Sequence, residues 1–370
     1  MEIDESNRLI DDTGEIPSRD NLGSLADPTA FHEPIDLNDF PEEKLLRFLK
    51  SMILIRKVEQ QLALGKKDGL IGGPVHLGAG QEAIAVGVSD SLQSTDRVFG
   101  AHRSHSHLLA LNPDYHRLFA EVLGKQTGFS RGMGGSMHLW DQPSGFYGCV
   151  PIVSGTVALA VGAGMAARLQ NLDDIGVVYL GDGAIEEGVV HESLNLARMQ
   201  KAPVLFVLEN NLFASHMHVS LRQPSDSMTR FAVANDIPNR LVDGNNVVAV
   251  AEAAAELVND SRQGRGPGFL EVVTYRWYGH VDWREDIDVG VNRSLDDVQN
   301  WRARDPVSRL SEAMIKAGIW SSDKEKAYCG NLDHEIASAW EKAMQDPYPD
   351  ESATMERVYA NGDDRDSEFG

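Results

Sequence analysis

Apolar residues in "PEEKLLRFLKSMILIRKVEQQLALGKK" recur at intervals of three and four, which predicts an amphipathic helix opened by Pro41. Glu42 and Glu43 fall in its first turn, where carboxylates complement the helix dipole. In the middle of the chain, helical stretches of this kind alternate with short β-branched runs: Ile175 to Leu180, Val204 to Leu208, and Phe269 to Tyr275. Continuous apolar runs suit strands covered on both faces, so the alternation predicts an α/β fold, a mainly parallel sheet with helices on both faces. After Trp301 the pattern is helical again. The first 40 or so residues are polar, acidic and broken by Pro17, Pro28, Pro34 and Pro41, and read as an extended arm of the sort that packs on a partner. That divides the chain into an arm over 1–40, a folded domain with helical flanks over 41–345, and a linker and polar tail over 346–370.

Composition sharpens this picture. With 370 residues, 42% of them hydrophobic, the chain can bury an ordinary core. A formal charge of -22 opposes binding to a phosphate backbone, so nucleic acid is not an expected partner. Cys149 and Cys329 are far apart, with no CxxC, which argues against a disulfide framework or a cysteine zinc site and points to a reducing cytoplasm. The N-terminus lacks the apolar centre of a signal peptide, and no apolar run reaches the roughly 18 residues of a membrane span, so neither export nor membrane insertion is expected.

The chemistry concentrates in "VVYLGDGAIEEGVVHESLNLARMQKAPVLFVLENN", Val177 to Asn211. Two strand-like runs each deliver a polar residue at the carboxyl end, where parallel α/β sheets bind ligands. Gly181 and Gly183 remove side chains that would keep a phosphate from the backbone, and Asp182 supplies a hard oxygen. A helix from about Ala184 would bring its positive end to the same place, and Asn211 offers an amide oxygen from the second tip. Magnesium takes one or two protein carboxylates and fills its shell with phosphate and water, so one Asp and one Asn suit a magnesium diphosphate. A lone GDG is more often a tight turn, and Asn-Asn a helix cap. Here GDG is followed, one helix and one strand later, by NN, and the pair resembles the thiamine diphosphate motif.

Further motifs extend the resemblance: "GPVHLGAGQEA" (73–83), "AHRSHSH" (101–107), "RGMGGSMHL" (131–139), "VDGNN" (242–246) and "TYRWYGHV" (274–281). From about Leu46 to Tyr359 the chain is similar to the alpha subunit of the thiamine-dependent decarboxylating component of 2-oxo acid dehydrogenase complexes, the pyruvate, branched-chain and acetoin dehydrogenase family. The resemblance implies thiamine diphosphate and Mg2+ as cofactors, with Asp182, Asn211 and the carbonyl of Phe213 as metal ligands. It implies that Arg103 and Arg276 hold the diphosphate and that Gly183 and Ala184 donate backbone N–H groups to it, with Val153 meeting the aminopyrimidine. His76 and His280 fall on active-site histidines, while His102 and His105 are further candidates, His102 beside the diphosphate and His105 in catalysis. His138 and His191 read as structural.

Three departures from the family pattern matter. Pro151 stands where a backbone N–H contact is expected, and proline has no N–H. Val281 occupies the place of a regulatory serine, which excludes phosphorylation there. The acidic "VDWREDIDVGV" leaves the acyl acceptor open between a lipoyl domain and a small aldehyde or sugar. No second α/β domain is evident, so the resemblance also implies a separate beta chain that carries the pyrimidine-binding domain and its activating Glu. Two alpha and two beta chains, with a lipoyl-bearing acyltransferase, complete the expected assembly.

Other readings compete. "GAGMAA", Gly162 to Ala167, satisfies a dinucleotide fingerprint, with Asp182 about 20 residues on. Yet "TVALAVGAGMAARLQN" reads as one helix with small residues for close packing, which leaves no strand-to-helix turn for a nicotinamide cofactor. Non-oxidative acyloin or two-carbon transfer is a second rival. A scaffold without catalysis is a third, opposed by the joint presence of Asp182, Asn211, Arg103, Arg276, His76 and His280.

Overall fold

The structure is a computed structural model, and it describes residues 21–281, 283–284, 287–288 and 291–353. The sequence readings of residues 1–20, of residues 282, 285, 286, 289 and 290 in the acidic stretch, and of the tail after 353 lie outside the described residues.

Helix α1 (Glu42–Lys67) runs as expected, with Glu42 and Glu43 in its first turn and Lys66 and Lys67 in its last. Helix α2 (Glu82–Ser89), strand β1 (Arg97–Gly100), helices α3 (His105–Leu111) and α4 (Tyr115–Val122), and strand β2 (Phe146–Cys149) follow. The central repeat is helix α5 (Val157–Leu169), strand β3 (Gly176–Gly181), helix α6 (Gly188–Gln200) and strand β4 (Val204–Asn210). A short hairpin, β5 (Phe213–Ala214) with β6 (Met217–His218), leads to helix α7 (Thr229–Ala234), strand β7 (Asn239–Asp243), helix α8 (Val247–Arg262) and strand β8 (Gly268–Val273). The two-residue strands β9 (Ile287–Asp288) and β10 (Val291–Asn292) precede helices α9 (Leu295–Ala303), α10 (Pro306–Lys316) and α11 (Ser322–Gln345).

The main sheet has the order β2-β1-β3-β4-β8-β7, and its pairings are parallel. Successive side chains of its central strands point to opposite faces and so feed two different cores. Val177, Tyr179, Leu205, Val207, Leu270 and Val272 pack into a layer with α1, α2, α8, α10 and α11. Val178, Leu180, Phe206, Leu208, Phe269 and Val273 pack into a second layer with α5, α6 and α7. This is why β4 is buried throughout and reads as an unbroken apolar run.

Two details differ from the sequence reading. Residues 21–40 run over this chain itself: the Leu22 amide donates to Asp226 Oδ1 at 2.9 Å, and Arg304 Nη1 donates to the carbonyls of Leu25 and Asp27 at 2.9 Å. The expected helix at Ala184 is a 3-10 turn, Ala184–Glu186, and α6 begins only at Gly188. The helical reading of "GAGMAA" agrees with the structure, because Gly162 and Gly164 both lie inside α5. A Cβ on Gly164 would come within 2.7 Å of the Pro203 carbonyl oxygen, so that glycine serves helix-to-strand packing.

Gly80 is the turn that launches α2. Its φ is +99°, and a Cβ there would lie 2.6 Å from Trp277 Cδ1 and 2.7 Å from the Tyr275 carbonyl oxygen. The loop is tied by Glu82, which accepts from the Gly80 amide at 3.0 Å while receiving Arg56 Nε at 2.5 Å and Arg56 Nη2 at 2.8 Å. Gly80→Ala is expected to lower stability by about 2–4 kcal/mol, combining backbone strain with overpacking against Trp277. Urea denaturation measures this, and a loss under about 0.5 kcal/mol, the level of a surface change, would contradict the account.

Candidate active site

The site grows from the register of β3 and β4. Gly181 pairs with Glu209, so the next residues of both strands emerge side by side at the carboxyl edge. Asp182 is 1% exposed and Asn211 8% exposed, which places both polar tips inside the protein. The two asparagines divide their work. Asn210 Nδ2 donates to Glu271 Oε1 at 2.8 Å and to the Asp226 carbonyl at 3.0 Å, and so fastens the strand end. Asn211 Oδ1 accepts the Phe213 amide at 3.3 Å, and Leu212 between them adopts a φ of 69° that turns the chain into the β5–β6 hairpin. The hairpin folds back against the GDG turn: a Cβ on Gly183 would lie 2.5 Å from the Ala214 Cβ, whereas one on Gly181 would meet nothing within 4 Å. Gly183 is therefore required by protein packing, and Gly181 borders open space.

Burial pushes the Asp182 carboxyl above its ordinary value, with Arg222 and then Arg276 opposing the shift. Arg222 makes an ion pair with Asp182 Oδ2 and another with Glu186. Arg276, 1% exposed, donates from Nη1 to the Tyr278 carbonyl at 3.0 Å and from Nη2 to the Ser215 carbonyl at 2.5 Å. Arg276 thus bridges from the hairpin next to GDG to the segment that carries His280.

Three imidazoles complete the edge. The ring centroids of His76 and His102 are 4.6 Å apart, those of His76 and His280 5.0 Å, and those of His102 and His280 5.3 Å, all edge to face. Arg103 binds this group to the loop before α2: Nη1 donates to the Leu77 carbonyl at 2.6 Å, and Nη2 lies 3.4 Å from His280 Nδ1. A guanidinium only donates, so His280 Nδ1 is the acceptor and its proton sits on Nε2. Burial and then Arg103 lower the pKa of all three rings; His102 falls to about 3 and His280 to about 2. One nitrogen from each ring lies within 4.8 Å of the others, a spacing open to a metal. The charges of Arg103 and Arg276, which already disfavour protonation of His102 and His280, make this corner hostile to a cation and favourable to an anion.

His105 lies one layer behind. It is 1% exposed, its Nδ1 is 3.2 Å from Glu59 Oε1, and its Nε2 is 2.8 Å from Ser136 Oγ. Both ring nitrogens are therefore committed to protein partners. Val153 is half exposed at the rim, in the bend that follows Pro151, and its neighbour Ser154 donates from Oγ to the Ala184 carbonyl at 2.6 Å. The loop "RGMGGSMHL" is held by Glu121, whose carboxylate accepts the amides of Ser130, Gly132, Gly134 and Gly135 at 2.7 to 3.0 Å.

Sequence reasoning missed Glu59, Glu121, Arg222 and Glu271. Glu271 had a signal, a single carboxylate inside the apolar strand "GFLEVV"; it accepts the Met228 and Thr229 amides at 2.8 Å as well as Asn210. Glu59 had a weaker one, since it sits between Ile55 and Leu62 on the buried face of α1. Arg222 had none.

A parallel α/β sheet whose carboxyl edge gathers a buried carboxylate, an amide and two guanidiniums has the architecture of an α/β enzyme domain that takes its ligand at the carboxyl ends of the strands. The chain belongs to the dehydrogenase E1 component family, whose sequence model matches residues 50–352. It is 36% identical over 315 residues to the pyruvate dehydrogenase E1 component subunit alpha of Rhizobium meliloti, covering 85% of this chain and 89% of that one. It is 34% identical over 325 residues to the alpha subunit of the acetoin:2,6-dichlorophenolindophenol oxidoreductase of Bacillus subtilis, covering 86% and 95%. The corresponding subunit of Cupriavidus necator gives the same identity over the same 325 residues. Among the described residues no helix is long and apolar enough to cross a membrane.

The lowered histidine pKa values make stability depend on pH. Below about 6.5 the unfolded chain protonates these rings while the folded chain does not, so the unfolded state binds more protons and stability falls as pH drops. The loss begins near 6.5 and deepens toward the folded values of about 3 for His102 and about 2 for His280. Replacing His76 with Asn is expected to flatten the fall in Tm between pH 6.5 and 5. An unchanged slope would show that His76 protonates as readily in the folded chain as in the unfolded one.

Proposed function

We propose that this chain is the alpha subunit of a thiamine diphosphate-dependent 2-oxo acid or acetoin dehydrogenase. In this reading it decarboxylates or cleaves its substrate and passes the acyl unit to a lipoyl acceptor. The observation that carries the proposal is the in-register pairing of β3 and β4, which brings the turn with Asp182 and the turn with Asn211 to the same edge of the sheet. The residues fit the implied cofactor. A buried carboxylate and an amide supply hard oxygens, the space over Gly181 is open, and His76 Nδ1 is buried without a hydrogen-bond partner.

Asp182, Asn211 and the Phe213 carbonyl would hold Mg2+. Arg103 and Arg276 would neutralise the diphosphate, with the Gly183 and Ala184 amides as further donors. When bound, thiamine diphosphate supplies an acidic thiazolium carbon and an electron sink for the carbon that loses its carboxylate. This chain's part is electrostatic and acid–base. The His76 and His280 rings stay neutral near pH 7, so His280 would donate from Nε2 to a developing oxyanion, and His76 would offer Nδ1 for a hydrogen bond to the substrate. His102 packs against both rings beside Arg103, at the boundary between diphosphate and substrate. His105 holds Ser136 and Glu59 around the His76 loop, a positioning role in place of the catalytic one expected from sequence.

Relatives named as alpha subunits support a partner, which in this reading is a beta chain with an activating Glu in an assembly of two alpha and two beta chains. The outward face of α5 supports such a partner, because Leu159 and Leu169 are exposed there, with Ile152 and Val153 exposed just before it. A cytoplasmic setting agrees with the free Cys149 and Cys329.

Thiamine diphosphate with Mg2+ is expected to raise the Tm of the chain mixed with its beta partner by several degrees, while NAD leaves it unchanged. Asp182→Ala should abolish that rise and reduce kcat at least about 100-fold, the scale of losing a cofactor-anchoring charge. The purified chain alone should not turn over, and full activity without a beta chain would overturn the reading.

A further inference from the structure

The Asp182 carboxylate already holds a cation that belongs to the protein. Arg222 lies beyond the hairpin, and its side chain is only 6% exposed. One terminal nitrogen meets Asp182 Oδ2; the other meets Glu186 Oε1 and lies 3.5 Å from the Asp182 carbonyl oxygen. Nε donates to the Met217 carbonyl at 3.2 Å, so the guanidinium is clamped between the GDG turn and the hairpin. Both members of the Asp182 pair are buried, whereas the Glu186 side chain is 32% exposed.

We propose that Arg222 competes with the divalent metal for Asp182 and thereby sets the metal affinity of the site. The inference rests on the reading of Asp182 as a metal ligand. A Mg2+ ion binds carboxylate oxygen at about 2.1 Å, inside the space of a hydrogen-bonded guanidinium nitrogen, and two cations about 4 Å apart repel. Metal and Arg222 therefore cannot share Asp182 Oδ2. Without a competitor, a carboxylate this deep would be costly to keep ionised, since burial already pushes its pKa up. Arg222 holds the ligand charged and oriented, and it surrenders that ligand to the metal. Glu186 is the counter-charge to which it retreats, partly solvated at the end of the 3-10 turn that leads into α6. Removing the two partners of Arg222 therefore has opposite effects. Loss of Arg222 strengthens metal binding, and loss of the Glu186 charge weakens it by tightening the grip on Asp182.

The test is the dissociation constant of Mn2+ for the full chain mixed with its beta partner at saturating thiamine diphosphate, with free Mn2+ read by electron paramagnetic resonance. Arg222→Gln is expected to tighten Mn2+ about tenfold and to lower the Tm of the metal-stripped chain, while Glu186→Gln loosens Mn2+ several-fold. Arg222→Lys, which keeps the charge but loses the fork, covers the case in which Arg222→Gln does not fold and should tighten Mn2+ by a smaller factor. Unchanged or weaker Mn2+ binding in the folded Arg222 variants would overturn the proposal, and weaker binding would make Arg222 part of the diphosphate cradle instead. Asp182→Asn separates the two levels. If it leaves Mn2+ binding intact, the metal site itself is misassigned; if it abolishes binding while the Arg222 variants change nothing, only the competition fails.

Discussion

The parallel pairing of β3 with β4 is the constraint on which the site depends. Their partners advance one for one from Gly176↔Val204 to Gly181↔Glu209, so Asp182 leaves the sheet level with Asn210, and Asn211 follows one residue further on at the same edge. A one-residue slip would reverse the faces of the strand that slips and send its side chains into the wrong core, and the two cores share none of these side chains. The cores thus enforce the register, and the register sets the distance between the turns that carry Asp182 and Asn211. Strand β8 extends the logic, with Glu209 opposite Val272 and Asn210 opposite Val273. Three residues on, its continuation presents Arg276 to the same edge, with the Thr274 amide bonded to the Asn210 carbonyl at 2.9 Å.

In a chain of net charge -22, Arg103 and Arg276 are buried, and the Arg222 side chain is only 6% exposed beside Asp182. Burial and Arg103 hold His76, His102 and His280 neutral, with Arg276 adding to the effect on His102 and His280, while Arg222 sits at Asp182. The overall charge keeps polyanions away, while this local field selects a small, strongly anionic ligand that can enter the edge of the sheet. Neutral imidazoles there donate and accept hydrogen bonds without adding charge, which suits a reaction whose negative charge moves from a carboxylate to an oxyanion.

Much of this was legible in the sequence wherever local pattern and function coincided. The strands appear as apolar runs because they are buried on both sides, and α5 betrays itself as a helix because Gly162 and Gly164 fall inside an unbroken periodic stretch. The ligand tips are legible because parallel sheets bind at their carboxyl ends. What was not legible is what the tertiary fold alone brings together. Arg222 meets Asp182 across 40 residues, and Glu59 meets His105 across 46, with nothing in either local sequence to announce the contact. The GDG turn shows a subtler gap: its second glycine reads as room for phosphate but is explained by Ala214 packing against it.

Burial across the site also explains why one chain would be insufficient. The end assigned to metal and diphosphate lies within this protein, where Asp182 and Arg276 are each 1% exposed. The end assigned to the aminopyrimidine is Val153, 50% exposed beside Ile152 at 70%. Hydrogen bonds and charges gain strength only where water is excluded, so the rim as it stands could anchor a ring but not tune its acidity. Covering that rim with an apolar surface that carries a carboxylate would do both at once. The apolar residues on the outward face of α5, immediately after Val153 in the chain, then cease to be a liability and become the margin of a shared active site.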